Sequence, residues 1–539
     1  MRRIARERFG WDDLRAGQVE AIEGLLDGDD VLVVMPTGAG KSAVYQVAAL
    51  MVEGPTVVVS PLIALQHDQL SGLAESGAAD AVVVNSAQSG SDNAQAWQSL
   101  EEGDAEFVFL APEQLAKEDV VARLAALRPS LLVVDEAHCI ASWGHDFRPD
   151  YLRVGDVRQR LGDPVVAALT ATAAPPVREE IVERMRMQQP RLVVRGFDRP
   201  NLFLEVRHFG DDAAKRADVV DHVGGQQMPG LVYTGTRKDT EAYATALQDK
   251  GLRARAYHAG LRAADRRAVH DEFLAGELDV VVATSAFGMG IDKPDVRFVV
   301  HAHISESLDS YYQEVGRAGR DGEPAQVTLM YREQDLGLRQ FLSGGGPDVG
   351  ALVQVATAVR EEPASVAALT RSTAMTRAKV VNAVNLLELA GVVRVAARGR
   401  LRWLRDDVDA MRGTELAVEA AEEHRRIERS RLEMMRAYAE TTGCRRQLLL
   451  GYFGEVLDGQ CRRCDACAAA SADADERGAP AAAQRFPLNA RVVHRQWGPG
   501  VVMHPQDDRV TVLFDHEGYK TLALQALDQN PVLELAQTG

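Results

Sequence analysis

Lysine is scarce in this 539-residue chain: only eight of its 61 basic residues are lysine and the rest are arginine, a bias that reads as genome composition more than chemistry. Long apolar runs are missing as well. No stretch of 18 or more apolar residues occurs, and the opening MRRIARERFGWDD lacks the apolar segment of a secretory signal, so a cytoplasmic chain is expected. Scattered cysteine pairs are absent; four of the five cysteines cluster near the carboxyl end, which argues against a disulfide scaffold. Bulk positive charge is absent too, since the net charge is −17, and this argues against nucleic-acid binding by the surface as a whole. Local distribution decides that question. Between Arg371 and Arg405 there are eight basic residues and a single acid, Glu388, a basic patch inside an acidic chain. With 46% hydrophobic residues and both charge signs present, the composition is that of a soluble globular protein, and the length predicts three to four domains at about 150 residues each.

The stretch from Leu131 to Tyr151, LLVVDEAHCIASWGHDFRPDY, organises what is there. Leu131 to Val134 reads as a strand buried on both faces of a parallel sheet, with Asp135 and Glu136 at its carboxyl end. Open α/β sheets place ligands there; Asp135 suits holding Mg²⁺, and Glu136 suits orienting and deprotonating a water. The competing reading is an ordinary helix start, where acids favour the positive end of the dipole. A phosphate loop upstream decides between them. DDVLVVMPTGAGKSAVYQ offers a buried strand, a Gly-rich turn and a helix starting near Lys41, whose backbone N–H groups can surround phosphate while Lys41 reaches the β and γ phosphates and Ser42 ligates Mg²⁺. The full loop pattern asks for glycine where Met35 stands, a relaxation common in helicase-type NTPases.

Further apolar strands alternate with helical stretches, in TVVVSPLIALQHDQL, AVVVNSA, EFVFLAPEQL and PVVAALTATAAPP, which indicates βαβ units and a parallel sheet. A second series (GLVYTGTRK, ARAYHAGL, DVVVATSAFGMGID, VRFVVHAHI) begins after FDRPN and ends in YYQEVGRAGRDGEP, so two lobes join near residues 197 to 207. Past Asp135, Trp143, His145, Phe147 and Arg148 crowd rings and a cation into six residues, suited to stacking on bases or pairing with phosphates; a buried aromatic cluster is the alternative. Cys444, Cys461, Cys464 and Cys467 can present four thiolates to one tetrahedral ion, with Zn²⁺ expected and an iron–sulfur cluster the rival. Cys139 reads as a buried thiol. Residues 347–405 read as a winged helix-turn-helix with Val380, Val384 and Leu387 on one stripe and a basic turn at Arg398 and Arg400, against a helical spacer with solvated arginines. An Ala-rich flexible linker follows Cys467, and Val510, Val512 and Phe514 then alternate in a small β-barrel.

The collinear set FGWDDLRAGQ, the relaxed phosphate loop, DEAHCIASWGHDFRPDY, TAT, FDRPN, AFGMGIDKP, Q-x-x-G-R-x-G-R and the late cysteines resembles the RecQ family of superfamily 2 DNA helicases. The resemblance implies an α/β fold with two tandem RecA-like, doubly wound parallel-sheet lobes (1–200 and 201–346). After them the residues themselves place a winged-helix-like segment (347–408), the resemblance a helical zinc-binding module (409–470), and the composition and alternation a linker (471–486) and the small SH3/Tudor-like barrel (487–539). In the family's usual order the winged helix follows the zinc module; here it precedes it. Trp11, standing where the family usually has tyrosine, would read adenine with Arg15 and Gln18. Thr37, Gly38, Gly40, Lys41 and Ser42 would hold phosphate and Mg²⁺ with Asp135 and Glu136, and Arg317 and Arg320 would contact the γ phosphate of ATP. His138, Trp143, His145, Asp146, Phe147 and Arg148 would couple nucleotide state to DNA. The pattern V-x-H-x-x-x-G-x-G-V near the end resembles the Tudor-like module of UvrD/PcrA-type helicases, which implies RNA polymerase as a partner. Two functions are weighed: a 3′ to 5′ DNA helicase of repair and recombination, and a DNA-dependent translocase that remodels protein–DNA complexes with weak strand separation. RNA unwinding is conceivable on generic motifs; intact Lys41, Asp135, Glu136, Arg317 and Arg320 disfavour a pure binding adaptor.

Overall fold

The computed structural model describes residues 1–539 except 62, 86–87, 142–147, 286, 288–290, 338–345, 397–399, 458, 471–480, 507 and 537–539. The chain forms two compact units: Met1–Met35, Ala39–Arg195 and Gly345–Arg425 make the first, and Gly196–Gly344 with Arg426–Gly539 make the second, with which Pro36–Gly38 group.

In the first unit, β1 (Val31–Val34), β2 (Thr56–Val59), β3 (Ala81–Val84), β4 (Phe107–Leu110), β5 (Leu131–Val134), β6 (Val165–Thr170) and β7 (Arg191–Val194) form one sheet in the order β3-β4-β2-β5-β6-β1-β7. All pairings are parallel. The tetrads VLVV, TVVV, FVFL and LLVV are buried at every position, as strands covered on both faces require. Because β5, β6 and β1 are neighbours, the loops leaving their carboxyl ends open along one edge, where ligands of such sheets bind.

The same unit contains the segment displaced relative to the usual order. Its helix Val349–Glu361, β14 (Ala364–Ser365), helices Val366–Ser372 and Arg377–Leu389, and strands β15 (Val393–Ala396) and β16 (Arg400–Trp403) follow the winged-helix succession, with an antiparallel sheet in the order β14-β16-β15. Ser365 and Thr376 cap the second and third helices through their hydroxyls. The expected stripe Val380, Val384 and Leu387 is buried and packs with Leu352, Leu369, Leu401 and Trp403.

The second unit's parallel sheet takes β8 (Leu202–His208), β9 (Gly230–Tyr233), β10 (Ala254–Tyr257), β11 (Val280–Ala283), β12 (Phe298–His301) and β13 (Ala325–Tyr331) in the order β10-β11-β9-β12-β13-β8. β8 starts at Leu202, within the stretch 197 to 207 where the joint is expected, and its burial alternates. A 31-residue helix, Ala410–Glu440, leads to helices Arg445–Tyr452, capped by Cys444, and Asp465–Ala469, which is capped by Cys464 and contains Cys467. These pack on the helix Leu308–Val315: the Tyr311 and Tyr438 hydroxyls lie 3.1 Å apart, Tyr452 bonds Asp309, and Phe453 stacks on Phe197 at 4.5 Å.

Strands β17 (Arg491–His494), β18 (Gly498–Pro505), β19 (Arg509–Phe514), β20 (Gly518–Ala523) and β21 (Leu533–Leu535) form an antiparallel sheet in the order β20-β19-β18-β17-β21, open because its outer strands do not pair. Val510, Val512 and Phe514 are buried as expected, but so are Thr511 and Leu513. The sheet is docked on the cysteine-bearing module. Tyr519 stacks on Tyr452 at 5.7 Å, Asn489 donates to the Gly454 carbonyl at 3.1 Å, and a Cβ at Gly518 would lie 2.3 Å from Ser430 Oγ. Of the expected linker, 471–480 lies outside the described residues; Ala481–Arg485 is helical, and Ala482 belongs to the core of the sheet.

Candidate functional site

β1 delivers the chain into a turn in which Gly38 and Gly40 adopt φ of 79° and 74°, a region that favours glycine. Gly40 is doubly required, since a Cβ there would lie 2.6 Å from the Gln18 side-chain nitrogen. Gln18 uses both ends of its amide. Its Oε1 accepts from the Arg15 N–H at 2.8 Å and its Nε2 donates to the carbonyls of Gly40 and Ala39 at 2.9 and 3.1 Å, tying the helix Ala16–Asp27 to the turn. Trp11 stacks on Phe9 at 4.5 Å. Thr37 and Ser42, at the two ends of the turn, are partly buried, and Lys41 Nζ donates to the Met35 carbonyl at 3.2 Å.

Two strands away, Asp135 is 7% exposed, and its carboxylate accepts from the Glu136 N–H at 2.9 Å and from Gln69 Nε2 at 3.2 Å. Burial, and then the Glu136 charge, push its pKa up to about 6, while Lys41 pulls the other way. A divalent cation would relieve that penalty, so the carboxylate with the Ser42 hydroxyl and Lys41 fits an Mg²⁺–phosphate complex. Glu136 adopts φ of 48°, a left-handed conformation that costs a non-glycine residue about 1–3 kcal/mol. Its Oε2 lies 3.2 Å from His138 Nδ1, which lies 2.9 Å from the Thr170 hydroxyl at the end of β6. Burial disfavours charge on His138, but Cys139 and Glu136 beside it outweigh burial and raise its pKa. Cys139 is buried as expected.

Beyond the acids, Tyr151 is fully buried and donates its hydroxyl to the Asp135 main-chain carbonyl at 3.1 Å, while Arg148 donates to the Pro61 carbonyl at 3.0 Å. Trp143, His145, Asp146 and Phe147 lie outside the described residues. Sequence reasoning missed Gln69, Tyr45, Thr170 and Tyr151. Tyr45 holds Gln69 at 2.7 Å, and Gln69 holds Asp135, yet nothing in the spacing of PLIALQHDQL marks that glutamine.

In the second unit, Arg317 and Arg320 follow the helix Leu308–Val315 in a tight turn. The FDRPN residues build that turn. Arg199 donates to the carbonyls of Gly316, Ala318 and Gly319 at 3.3, 2.8 and 2.9 Å, and Asn201 to those of Gly319 and Glu323 at 2.8 and 2.9 Å. Arg320 is held by Asp292 and the Ile291 carbonyl, both at 2.7 Å, and Arg317 is 6% exposed.

The sulfur atoms of Cys444, Cys461, Cys464 and Cys467 all lie within 4.8 Å of one another, and those of Cys461 and Cys467 are 3.8 Å apart. A tetrahedral ion with Zn–S bonds of about 2.3 Å has sulfurs about 3.8 Å apart, so the four fit a single Zn²⁺ with no open position. An iron–sulfur cluster, which spreads its cysteines over several irons, needs wider spacing. Hydrogen bonds within the cluster push the Cys464 thiol down and the Cys461 thiol up, and burial pushes the Cys467 thiol up, so ligation by all four would have to displace the protons they share.

On the winged segment, Arg400 and Arg402 are exposed while Leu401 and Trp403 between them turn inward. Arg400 donates to the Pro363 carbonyl at 2.8 Å, Arg394 pairs with Asp156 at 3.1 Å, and Arg398 lies outside the described residues.

Comparison with known proteins agrees with this geometry. Residues 15–181 match the DEAD/DEAH box helicase family, 214–322 the helicase conserved C-terminal domain, and 402–468 the RecQ zinc-binding family. The chain is 33% identical to the probable ATP-dependent DNA helicase RecS of Bacillus subtilis over 463 residues, covering 85% of this chain and 90% of that protein. It is 42% identical to RecQ of the same organism over 337 residues, covering 62% of this chain and 56% of that protein. With RecQ of Pasteurella multocida it shares 34% identity over 85% of this chain and 61% of that one. The helicase MrfA bound to DNA has the same fold across 77% of this chain and 63% of its own, with a TM-score of 0.53 at 17% identity. With both lobes, the cysteine module and a relative matched over nearly its whole length, the chain belongs to the RecQ family of superfamily 2 DNA helicases.

Proposed function

We propose that this protein is a cytoplasmic ATP-dependent helicase that moves 3′ to 5′ on single-stranded DNA and separates duplex or branched DNA in repair and recombination. The observation that supports it best is the joining of Lys41, Asp135 and the Glu136–His138–Thr170 chain at the ends of three adjacent strands. Trp11, Arg15 and Gln18 take the adenine. The turn from Thr37 to Gly40 surrounds the phosphates, and Lys41 neutralises the β and γ groups. Bound through Ser42 and Asp135, Mg²⁺ would supply further charge neutralisation on the phosphate oxygens. Glu136 orients the attacking water and takes its proton, with His138 fixing the carboxylate. Arg317 and Arg320 offset the charge that develops on the γ phosphate. His138, Arg148 and the residues Trp143, His145, Asp146 and Phe147 relay DNA contact to these groups.

If Arg317 acts in this way, its turn must be rigid. Arg199→Ala is expected to lower ATP turnover by about tenfold or more while ATP affinity stays within about twofold, because misplacing a catalytic group by an ångström can cost two orders of magnitude. Steady-state kinetics of the zinc-loaded chain provide the check. The wing supplies phosphate contacts: replacing Arg398 and Arg400 with Ala should weaken DNA binding and lower its salt slope by up to about two units, one per lost contact.

Strand-displacement assays on 3′-tailed, 5′-tailed and forked DNA test the reading. Unwinding of 5′-tailed substrates alone would overturn the polarity, and ATP hydrolysis without unwinding of any substrate would favour the translocase. Recruitment to RNA polymerase is a second reading, supported by the motif at Val492–Val501 and by the exposed Val493 and Leu535 on β17 and β21. Failure of purified polymerase to bind the full chain would remove it.

A further inference from the structure

The lone acid of the basic segment has a specific partner. Glu388, at the end of the third helix of the winged segment, accepts a hydrogen bond from Arg153 Nη2. Arg153 is only 6% exposed and gives its other terminal nitrogen to Asp150 at 3.1 Å, so a nearly buried guanidinium is held between a carboxylate of the winged segment and one of its own turn. Arg394 on β15 adds a second, exposed pair with Asp156, at 3.1 Å. No other acid lies between Arg371 and Arg405, so nothing in that segment can replace Glu388.

Arg153 closes the short turn Pro149–Arg153 that also carries Tyr151. The Tyr151 hydroxyl, at zero exposure, holds the main-chain carbonyl of Asp135, and the next residue, Glu136, sits in a left-handed conformation that surrounding contacts must maintain. One turn is thus gripped from outside by the winged segment and itself grips the peptide on which both acids stand.

We propose that Glu388, Arg153 and Tyr151 are positioning residues for DNA-stimulated ATP hydrolysis: the Glu388–Arg153 pair is the latch through which the winged segment, engaged on DNA, fixes the Asp135–Glu136 peptide. This rests on the helicase reading above. A nearly buried guanidinium shared by two carboxylates suits the task, since losing Glu388 leaves Arg153 with Asp150 of its own turn and cuts the tie to the winged segment.

The experiment uses the full, zinc-loaded chain and measures ATP turnover without DNA and at saturating single-stranded DNA, together with DNA affinity and thermal melting. Glu388→Gln keeps the shape and removes the charge. It is expected to leave basal turnover within about twofold and to lower the DNA-saturated rate at least about fivefold, in keeping with the sensitivity of catalysis to small misplacements. The charge-exchanged pair Glu388→Arg with Arg153→Glu should recover part of the stimulation that either single reversal loses, with Asp150 limiting the rescue, and the loss in Glu388→Gln should come without a fall in melting temperature, a split that a merely structural role would not give. Full stimulation in Glu388→Arg would overturn the proposal. So would a defect in Glu388→Gln that disappears at saturating DNA, for the pair would then serve only binding. If the wild-type chain shows no DNA stimulation, or if Glu136→Gln hydrolyses ATP normally, the helicase reading fails first and the latch falls with it.

Discussion

Glu136→Gln is expected to cut ATP turnover by about 10²–10⁴-fold, the usual contribution of a positioned base, while nucleotide affinity changes little. The asymmetry follows from what the side chain touches. Glu136 contacts His138, and an amide keeps the size and a hydrogen bond to the imidazole but cannot take a proton. Lys41→Ala should fail differently, because Lys41 stands in the turn itself and moderates the charge on Asp135; its loss should weaken nucleotide binding and abolish turnover together. Equilibrium binding of a fluorescent nucleotide, paired with phosphate release, separates the two. Substantial hydrolysis in Glu136→Gln would remove Glu136 as the base.

Cys464→Ser should be the most damaging single change to folding. Cys464 is fully buried, caps the helix Asp465–Ala469, and belongs to a four-sulfur cluster too close to tolerate a missing ligand. Structural zinc sites contribute about 10–16 kcal/mol of apparent binding energy at neutral pH, and that energy is folding energy, so the module should unfold without its ion. Elemental analysis should find one zinc per wild-type chain and none in the variant. Circular dichroism should show loss of the helices Arg445–Tyr452 and Asp465–Ala469. Native helicity with zinc absent would mean that the packing of Phe453 and Tyr438 suffices without the metal.

What was legible in the sequence was whatever local chemistry dictates. β1 and β5 could be read because four apolar residues followed by a turn or two acids describe a strand and its ligand end without further information. The phosphate turn could be read because Gly38 and Gly40 answer to backbone conformation alone. The cysteines declared themselves by spacing. Contacts across long separations could not be read: Gln69 meets Asp135 across 66 residues and Arg199 meets the Gly319 carbonyl across 120, and neither residue type is distinctive. FDRPN was visible as a motif, but its work of holding the turn of Arg317 was not. The docking of the carboxyl-terminal sheet was likewise invisible, because Tyr519 and Gly518 look like ordinary strand residues until Tyr452 and Ser430 are placed against them.

The outermost strand of the second sheet carries a liability that the cysteine module removes. β8 is seven residues long and among the described strands pairs only with β13, which leaves one row of its amide groups without a strand neighbour there. Such an edge is a template for another chain. Here the Leu204 N–H donates to the Arg463 carbonyl at 3.1 Å, the Val206 N–H donates to Asp465 at 2.9 Å, and Cys464 forms a parallel bridge with Leu204. The cysteine loop therefore acts as a substitute strand, and an ion that holds the loop would guard against self-association as well as staple the module. Metal-starved molecules should stick to one another through uncovered β8 edges before the parallel sheet itself unravels, and light scattering should rise while its strand signal persists.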